Sequence, residues 1–359
     1  MANVLLTVSG VIPPDIEAQI AAGQRPRADY LELARALDAD WIDYTRTRET
    51  GWGTRLVETF AGSNAALAWA CFRQRHRYRL IFTDGEQVGI PLALLLKFLG
   101  RGPRDTRHVM IVHIVSVGKK MLFFDWLGIQ SHIDCFLVYS TWQKRFIQER
   151  WRVPPERVIW TPFQVDARFF RPDAVSVEPE KMICSAGLEF RDYPTLMEAV
   201  EGLDVRVVLA AASPWSKRAD TTARRPIPPN VTVRRFSLYE LRDLYARSRF
   251  VVVPLYPVNF QAGVTTILEA MAMGKAVIVT RTPGQTDVVI EGETGLYVPP
   301  GDPQAMRAAI QYLLDHPDEA ARLGANGRRL VEERMNLNRY VEGLKKVVDE
   351  VLVGSAKQP

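Results

Sequence analysis

Residues 250–280 read FVVVPLYPVNFQAGVTTILEAMAMGKAVIVT, a pattern with the parts of an anion site. A buried strand delivers the chain into a short loop, Asn259-Phe260-Gln261-Ala262-Gly263, and a helix starts near Val264 or Thr265. The first turn of such a helix carries unpaired backbone N–H groups and the positive end of its dipole, which together attract a phosphate. Gly263 lets the backbone approach that phosphate with no side chain in the way. Gln261 and Glu269 lie eight residues apart, one before the helix and one within it. Glu269 therefore sits about a turn behind the anion site, where a carboxylate can accept bonds from the hydroxyls of a ribose. The same residue serves equally well as a salt-bridge partner on an otherwise apolar helix.

A second pair of carboxylates, Asp84 and Glu86, follows the strand-like run LIFT. There they can bind the hydroxyls of an acceptor or cap the following helix. Other strings carry less. GWGTRL at 51–56 begins like a dinucleotide fingerprint but lacks the third glycine and a preceding strand, so it reads as a loop before a helix. Asp38-Ala39-Asp40 has the spacing of an acidic metal pair but falls where a helix turns into a strand, and a solvated turn is expected. The five histidines have no zinc spacing, and no metal ligands are assigned. No Walker loop, nucleophile elbow or Cys–His signature is present.

The elements that position these residues alternate between short apolar runs and helical patterns. In the first half NVLLTVSG, ADWIDY, RLIFTDG, HVMIVHIV, DCFLVYS and RVIWTPF read as strands. Between them lie ADYLELARALD, with Tyr30, Leu33, Ala34 and Leu37 on one face, and VGIPLALLLKFL. TRLVETFAGSNAALAWACF reads as one long helix. KKMLFFDWLG and TWQKRFIQERW are also helical. The second half repeats the rhythm through MICSAG, VRVVLAA, FVVVPL and AVIVT, and ends in the amphipathic PQAMRAAIQYLLD and RYVEGLKKVVDEVL. Apolar strands alternating with helices predict α/β domains with parallel sheets, which bind ligands at the carboxyl edge of the strands. At 359 residues the chain suggests two such domains, over 1–165 and 181–335. A linker is expected at 166–180, and over 336–359 a final helix that crosses back to the first domain.

A hydrophobic fraction of 47% with 24% charged residues excludes disorder and a disulfide scaffold. The cysteines, Cys71, Cys135 and Cys184, read as core residues of a reducing compartment. With no basic leader and no apolar run long enough to span a bilayer, a soluble cytoplasmic protein is expected. Residues 51–150 hold 14 Lys and Arg against 7 Asp and Glu, a surplus that exceeds the net +5 of the whole chain. Such a surplus favours anionic partners. Within it KKMLFFDWLG at 119–128 mixes Lys119 and Lys120 with Leu122, Phe124 and Trp126. It reads first as a helix packed on its own sheet, and it also fits peripheral contact with an anionic membrane carrying a lipid-linked acceptor.

Residues 250–335 resemble the nucleotide-sugar domain of retaining glycosyltransferases of family 4. The strings that carry the likeness are LEAMAMGKAVIVT, TPGQTDVVIEGETGLYVPPGDPQAMRAAIQYLL and LGANGRRLVEERM. The resemblance implies a GT-B fold, two Rossmann-like domains with parallel sheets facing across a cleft. It implies a metal-independent enzyme that moves a sugar, with retention, from a nucleoside-diphosphate donor to a hydroxyl acceptor. UDP is expected ahead of GDP, with no cofactor and no nucleic-acid partner. A glycan or lipid-linked acceptor is expected, with the cytoplasm or the inner membrane face as the expected place of work. In that family two glutamates stand eight apart. The second matches Glu269 and would hold the ribose; the first, which contacts the donor sugar, falls on Gln261. The amides of Gly263, Val264 and Thr265 would hold the diphosphate. CSAGLEFRDYPTLMEAV resembles the family's diphosphate-binding loop, with Arg191 in a cation's place but Ala186 or Gly187 where an arginine is common. Lys217 or Arg218 would supply the second charge. His113 falls on a histidine near the donor sugar, although a lone histidine ending an apolar strand also serves as a core residue. Three alternatives share the scaffold: a nucleotide-sugar epimerase, a disaccharide phosphorylase and a non-catalytic nucleotide-sugar-binding subunit.

Overall fold

The structure, a computed structural model, describes residues 2–102, 105–211 and 226–354. The chain divides into two compact units, one of residues 1–18, 27–161 and 341–359, the other of 19–26 and 162–340. Each is built on a six-stranded, wholly parallel sheet.

The first sheet has the order β2-β1-β3-β4-β5-β6, with β1 Val4–Thr7, β2 Asp40–Ile42, β3 Leu80–Thr83, β4 Arg107–Val112, β5 Cys135–Val138 and β6 Val158–Trp160. Its helices are α1 Ile16–Ala21, α2 Asp29–Leu37, α3 Tyr44–Glu49, α4 Trp52–Ala61, α5 Ser63–Gln74, α6 Glu86–Leu99, α7 Gly118–Asp125 and α8 Thr141–Trp151. The order reverses at β1, so crossovers leave it in opposite directions and place helices on both faces. Strands covered on both faces have no polar side to show, which is why LIFT and CFLV are buried at every position.

The expected long helix over TRLVETFAGSNAALAWACF is two helices, α4 and α5. Gly62 between them has φ 83°, a left-handed conformation that ends the first helix and turns the chain. That turn lays α5 on the sheet, with Leu67, Ala68, Cys71 and Phe72 packed against Leu5 and Ile81, and leaves α4 outside it.

The second sheet has the order β12-β11-β10-β7-β8-β9, with β7 Met182–Ala186, β8 Arg206–Ala210, β9 Val231–Arg234, β10 Phe250–Val253, β11 Ala276–Thr280 and β12 Gly295–Val298. The helices are α9 Tyr193–Val200, α10 Leu238–Arg247, α11 Val264–Ala272, α12 Pro303–Asp315, α13 Pro317–Arg334 and α14 Leu337–Gly354. Side-chain caps fix several starts: Asp192 on α9, the reciprocal Ser237–Glu240 pair on α10 and Asp302 on α12. Strands β9 and β12 escape the sequence reading because each is four residues long and only partly buried.

Where the sequence suggests a linker over 166–180, the structure packs Phe169 and Phe170 inside the second unit, and Arg328 donates to the Phe170 carbonyl (2.8 Å). The unit boundary falls earlier, between Thr161 and Pro162. Helix α14 starts in the second unit, and its residues from Val341 onward belong to the first.

Candidate functional site

In the second unit the candidate site grows from the carboxyl ends of β7 and β10. Gly263, with φ 77°, stands at the cap position of α11, and a Cβ there would lie 2.9 Å from Val253 Cγ1. Only glycine meets both conditions, and the backbone beyond it enters the helix with Val264 buried and Thr265 exposed. Arg191 runs beneath this turn and is 4% exposed. Its Nε donates to the Ala186 carbonyl (2.8 Å), Nη1 to the Glu189 carbonyl (2.9 Å) and Nη2 to Thr266 Oγ1 (3.0 Å). A Cβ on Gly187 would meet its Nη2 at 2.7 Å, and one on Gly263 its Nη1 at 3.3 Å, so the two glycines make room for the guanidinium. Burial holds the Arg191 pKa below its ordinary value, opposed by Tyr193, Tyr245, Glu189 and Glu269. The chain thus places a fixed cation directly under the first turn of α11.

Glu269 lies further along the same helix, 7% exposed, and its Oε2 accepts from the Tyr245 hydroxyl of α10 (2.9 Å). That leaves Oε1 for another donor. Burial raises its carboxyl to about 7, against the pull of Tyr245 and Arg191. Gln261, half-buried in the loop before the helix, has an Oε1 that is buried and accepts no hydrogen bond among the described residues. Beside that loop, the Gly284 N–H donates to the Val258 carbonyl (3.3 Å), and a Gly284 Cβ would fall 2.2 Å from the Phe260 nitrogen. The next residue, Gln285, is fully buried with both amide atoms unpartnered among the described residues. Tyr245 and Gln285 are new relative to the sequence reading. Tyr245 stands 24 positions from Glu269 on another helix, and Gln285 inside a quoted motif has no chemical signature of its own. Lys217 and Arg218 lie outside the described residues.

The first unit collects different groups at its strand ends. Asp84 accepts from the Thr7 hydroxyl through Oδ1 (2.6 Å) and from the Ser9 N–H and hydroxyl through Oδ2. Glu86 is 2% exposed and neither caps α6 nor stands free. It accepts from His113 N (2.8 Å), Ile114 N (3.2 Å) and Lys120 Nζ (2.7 Å). Burial raises its carboxyl, but His113 and Lys120 outweigh that, so its pKa lies below the usual value. Glu86 therefore braces the loop after β4. His113 is exposed; its Nε2 donates to the Asp84 carbonyl (3.0 Å), and its ring tilts against Tyr139. Gln143 fixes the His113 carbonyl (2.6 Å). Asp29, at the start of α2, joins this group: burial raises its carboxyl, the Tyr30 N–H opposes, Asp84 adds to the rise and His113 opposes it. In α7, Phe124 stacks on Trp151 inside the core, while Leu122 and, just after the helix, Trp126 stay exposed.

Residues 189–316 match the family model of glycosyl transferases group 1. An MMP alpha-(1->4)-mannosyltransferase of Mycolicibacterium hassiacum is 31% identical over 230 residues, 60% of this chain and 55% of that protein. A D-rhamnosyltransferase, WbpZ, of Pseudomonas aeruginosa is 28% identical over 140 residues, 38% of this chain and 36% of that protein. The matched stretches thus span only about a third to a half of these relatives. Among solved structures, HepE of Anabaena in complex with UDP and glucose superposes with a TM-score of 0.70 at 13% identity, covering 97% of this chain and 100% of that one. Sucrose-phosphate synthase from Thermosynechococcus elongatus gives 0.71 at 19% identity, covering 98% and 99%. The fold is GT-B.

Proposed function

We propose that the chain is a retaining glycosyltransferase of family 4 that moves a sugar from a nucleoside-diphosphate donor, UDP ahead of GDP, to a hydroxyl acceptor without a metal. The observation that carries this reading is the buried constellation at the start of α11. A glycine-capped helix start lies over the Arg191 cation, with the oriented carboxylate of Glu269 behind it. The family-model match covers the same residues, and HepE was crystallised with UDP and glucose in the same fold.

Glu269 Oε1 accepts from the ribose, and the amides of Gly263, Val264 and Thr265 hold the diphosphate over the Arg191 charge. The unpartnered Gln261 Oε1 accepts from a hydroxyl of the sugar, which is where leaving it unsatisfied would otherwise cost stability. In transfer, the bond from the anomeric carbon to the diphosphate oxygen breaks and the acceptor oxygen bonds that carbon on the same face. The acceptor proton passes to the released diphosphate. Acceptor binding is assigned to the edge of the first unit that carries Asp84 and His113, with Glu86 as its brace. The relatives' names point to a hexose or deoxyhexose as the sugar. No helix among the described residues is long and apolar enough to cross a membrane. Lys119, Leu122 and Trp126 on and after α7 give the protein a peripheral foothold at the inner membrane face, where a lipid-linked acceptor would lie.

Calorimetric titration of UDP, GDP and ADP in EDTA tests the donor reading. One nucleotide should bind selectively, and Glu269→Ala should abolish that binding while the protein stays folded. Unchanged affinity in the folded variant would remove the ribose assignment. Binding of none would favour the phosphorylase or non-catalytic alternative.

A further inference from the structure

Two loops of the second unit meet just before α11, and each carries a glutamine whose amide has unmet hydrogen-bonding atoms. In the first, the Ala262 N–H donates to the Phe260 carbonyl (2.8 Å), a three-residue turn with Gln261 at its apex. The second is the turn Thr282-Pro283-Gly284-Gln285 after β11, closed by the Gln285 N–H on the Thr282 carbonyl (3.0 Å). The two touch through their backbones. The Gly284 N–H donates to the Val258 carbonyl (3.3 Å), and a Cβ on Gly284 would fall 2.2–2.4 Å from the Phe260 nitrogen, oxygen and carbonyl carbon. The Phe260 ring in turn packs edge-on against Phe190, 4.9 Å between centroids, in the loop that leads to Arg191. Phe260 is thus held by backbone and by ring, and the place of the next residue, Gln261, is set by both neighbouring loops.

The polar side chains at this meeting point are left open. Gln285 is fully buried, and neither its Oε1 nor its Nε2 has a partner among the described residues. Thr282 Oγ1 in the same turn and Gln261 Oε1 in the neighbouring loop are also buried and unpartnered among them. A buried amide left unbonded costs stability, and an apolar side chain of the same shape would not. A glutamine there makes sense where a partner joins it. Gln261 Oε1 is an acceptor of the right kind, and a carbonyl oxygen has two lone pairs. It can accept from Gln285 Nε2 and from a ligand hydroxyl together.

We propose that Gln285 is a positioning residue for the donor sugar: when donor binds, its Nε2 donates to Gln261 Oε1 and fixes that amide with the second lone pair toward a sugar hydroxyl. This rests on the donor reading above and extends it from the start of α11 to the turn after β11. Gln285 acts through Gln261, so it governs recognition of the sugar and not of the nucleotide, whose contacts are assigned to Gly263, Arg191 and Glu269.

The test is calorimetric titration of the full chain with UDP, UDP-glucose, UDP-galactose, GDP and GDP-mannose, read as the affinity of each nucleotide sugar relative to its own nucleotide. Gln285→Met keeps the side-chain length and removes both polar atoms; Gln285→Leu is the second variant should the first fold poorly. Nucleotide affinity should hold, and the ratio for the preferred sugar should fall about tenfold. Gln261→Ala should lower the ratio by a similar factor, and the double variant should lose no more than Gln261→Ala alone. An unchanged ratio at Gln285, an equal loss of nucleotide and nucleotide sugar, or losses at the two glutamines that simply add would each overturn the proposal and leave the donor reading standing. So would a wild type that binds no nucleotide sugar differently from its nucleotide. Binding of none of the five ligands would remove the donor reading, and the positioning role with it.

Discussion

The two units share a plan, six parallel strands with helices on both faces, yet they spend their polar and apolar residues differently. In the second, the charged residues of the candidate site are locked inward: Arg191 on two carbonyls and a hydroxyl, Glu269 of α11 on a tyrosine. In the first, His113 is exposed and Asp84 half-buried. Of the sixteen exposed large apolar side chains among the described residues, eleven belong to the first unit. The fixed, buried charges of the second unit suit the small charged donor proposed for it, since burial strengthens each interaction. The first unit keeps more of its polar and apolar groups in solvent.

The comparison breaks most visibly at Glu86, a carboxylate of the first unit as locked as those of the second. Glu86→Ala leaves Lys120 and two backbone N–H groups without their acceptor in a buried place, a loss of about 3 kcal/mol. Urea unfolding should show it, and UDP binding by the second unit should persist wherever the variant is folded. The pH dependence has a definite sign. A carboxyl whose folded pKa is lowered contributes stability above its ordinary value of 4.5, and that contribution disappears as pH falls through the lower folded value. Wild type should therefore lose stability in acid more steeply than Glu86→Gln. Equal slopes would remove the brace.

The loop and helix start around Gly263 were legible in the sequence as structure because their logic is local. A strand, a glycine, a helix start and a carboxylate follow one another within twenty residues or so, and each step has a period or a conformational need. What was not legible depends on contacts between distant segments. Tyr245 orients Glu269 from α10, and Lys120 turns Glu86 away from solvent; neither partner is signalled by spacing. Arg191 was legible as a cation near the loop but not as a buried one, because the space for it comes from Gly187 and Gly263 together. The single helix expected over 54–72 failed at Gly62. There a helical pattern runs through a residue whose backbone freedom decides the outcome. Once the helix breaks, its outer half carries Trp52 and Phe60 away from the core.

A smaller effect sharpens the description of the second unit. Burial raises the Glu269 carboxyl to about 7, so it is part protonated at neutral pH. A raised carboxyl favours the folded state below its ordinary pKa of 4.5, and that advantage is lost as pH rises through about 7. On the proposed ribose role of Glu269, donor binding should have the opposite slope, because the ionised carboxylate is the better acceptor for ribose hydroxyls. Affinity for a UDP-sugar, whose diphosphate does not titrate in this range, should rise about tenfold between about pH 6 and about pH 8. Binding on the acid side should release a proton, visible as a dependence of the calorimetric heat on the buffer. Glu269→Gln should give a flat profile, and a slope that survives in that variant would assign the titration elsewhere.

The smallest change is the most discriminating. Tyr245→Phe removes one buried hydroxyl and the bond it gives to Glu269, at a cost of about 1 kcal/mol in stability. A purely structural tyrosine would stop there. The Tyr245 hydroxyl, however, favours the ionised carboxylate, so its loss should push Glu269 further up and move the midpoint of the UDP-sugar binding profile to higher pH. Near pH 7 affinity should fall, and at alkaline pH it should recover most of the way to wild type, because the carboxylate can still be ionised there. A loss that stays constant at every pH would mean that Tyr245 supports the helix packing and leaves Glu269 alone. A shifted midpoint with recovered alkaline affinity would show the oxygen facing the ligand to be set by the one facing α10, the inward locking that separates this unit from the first.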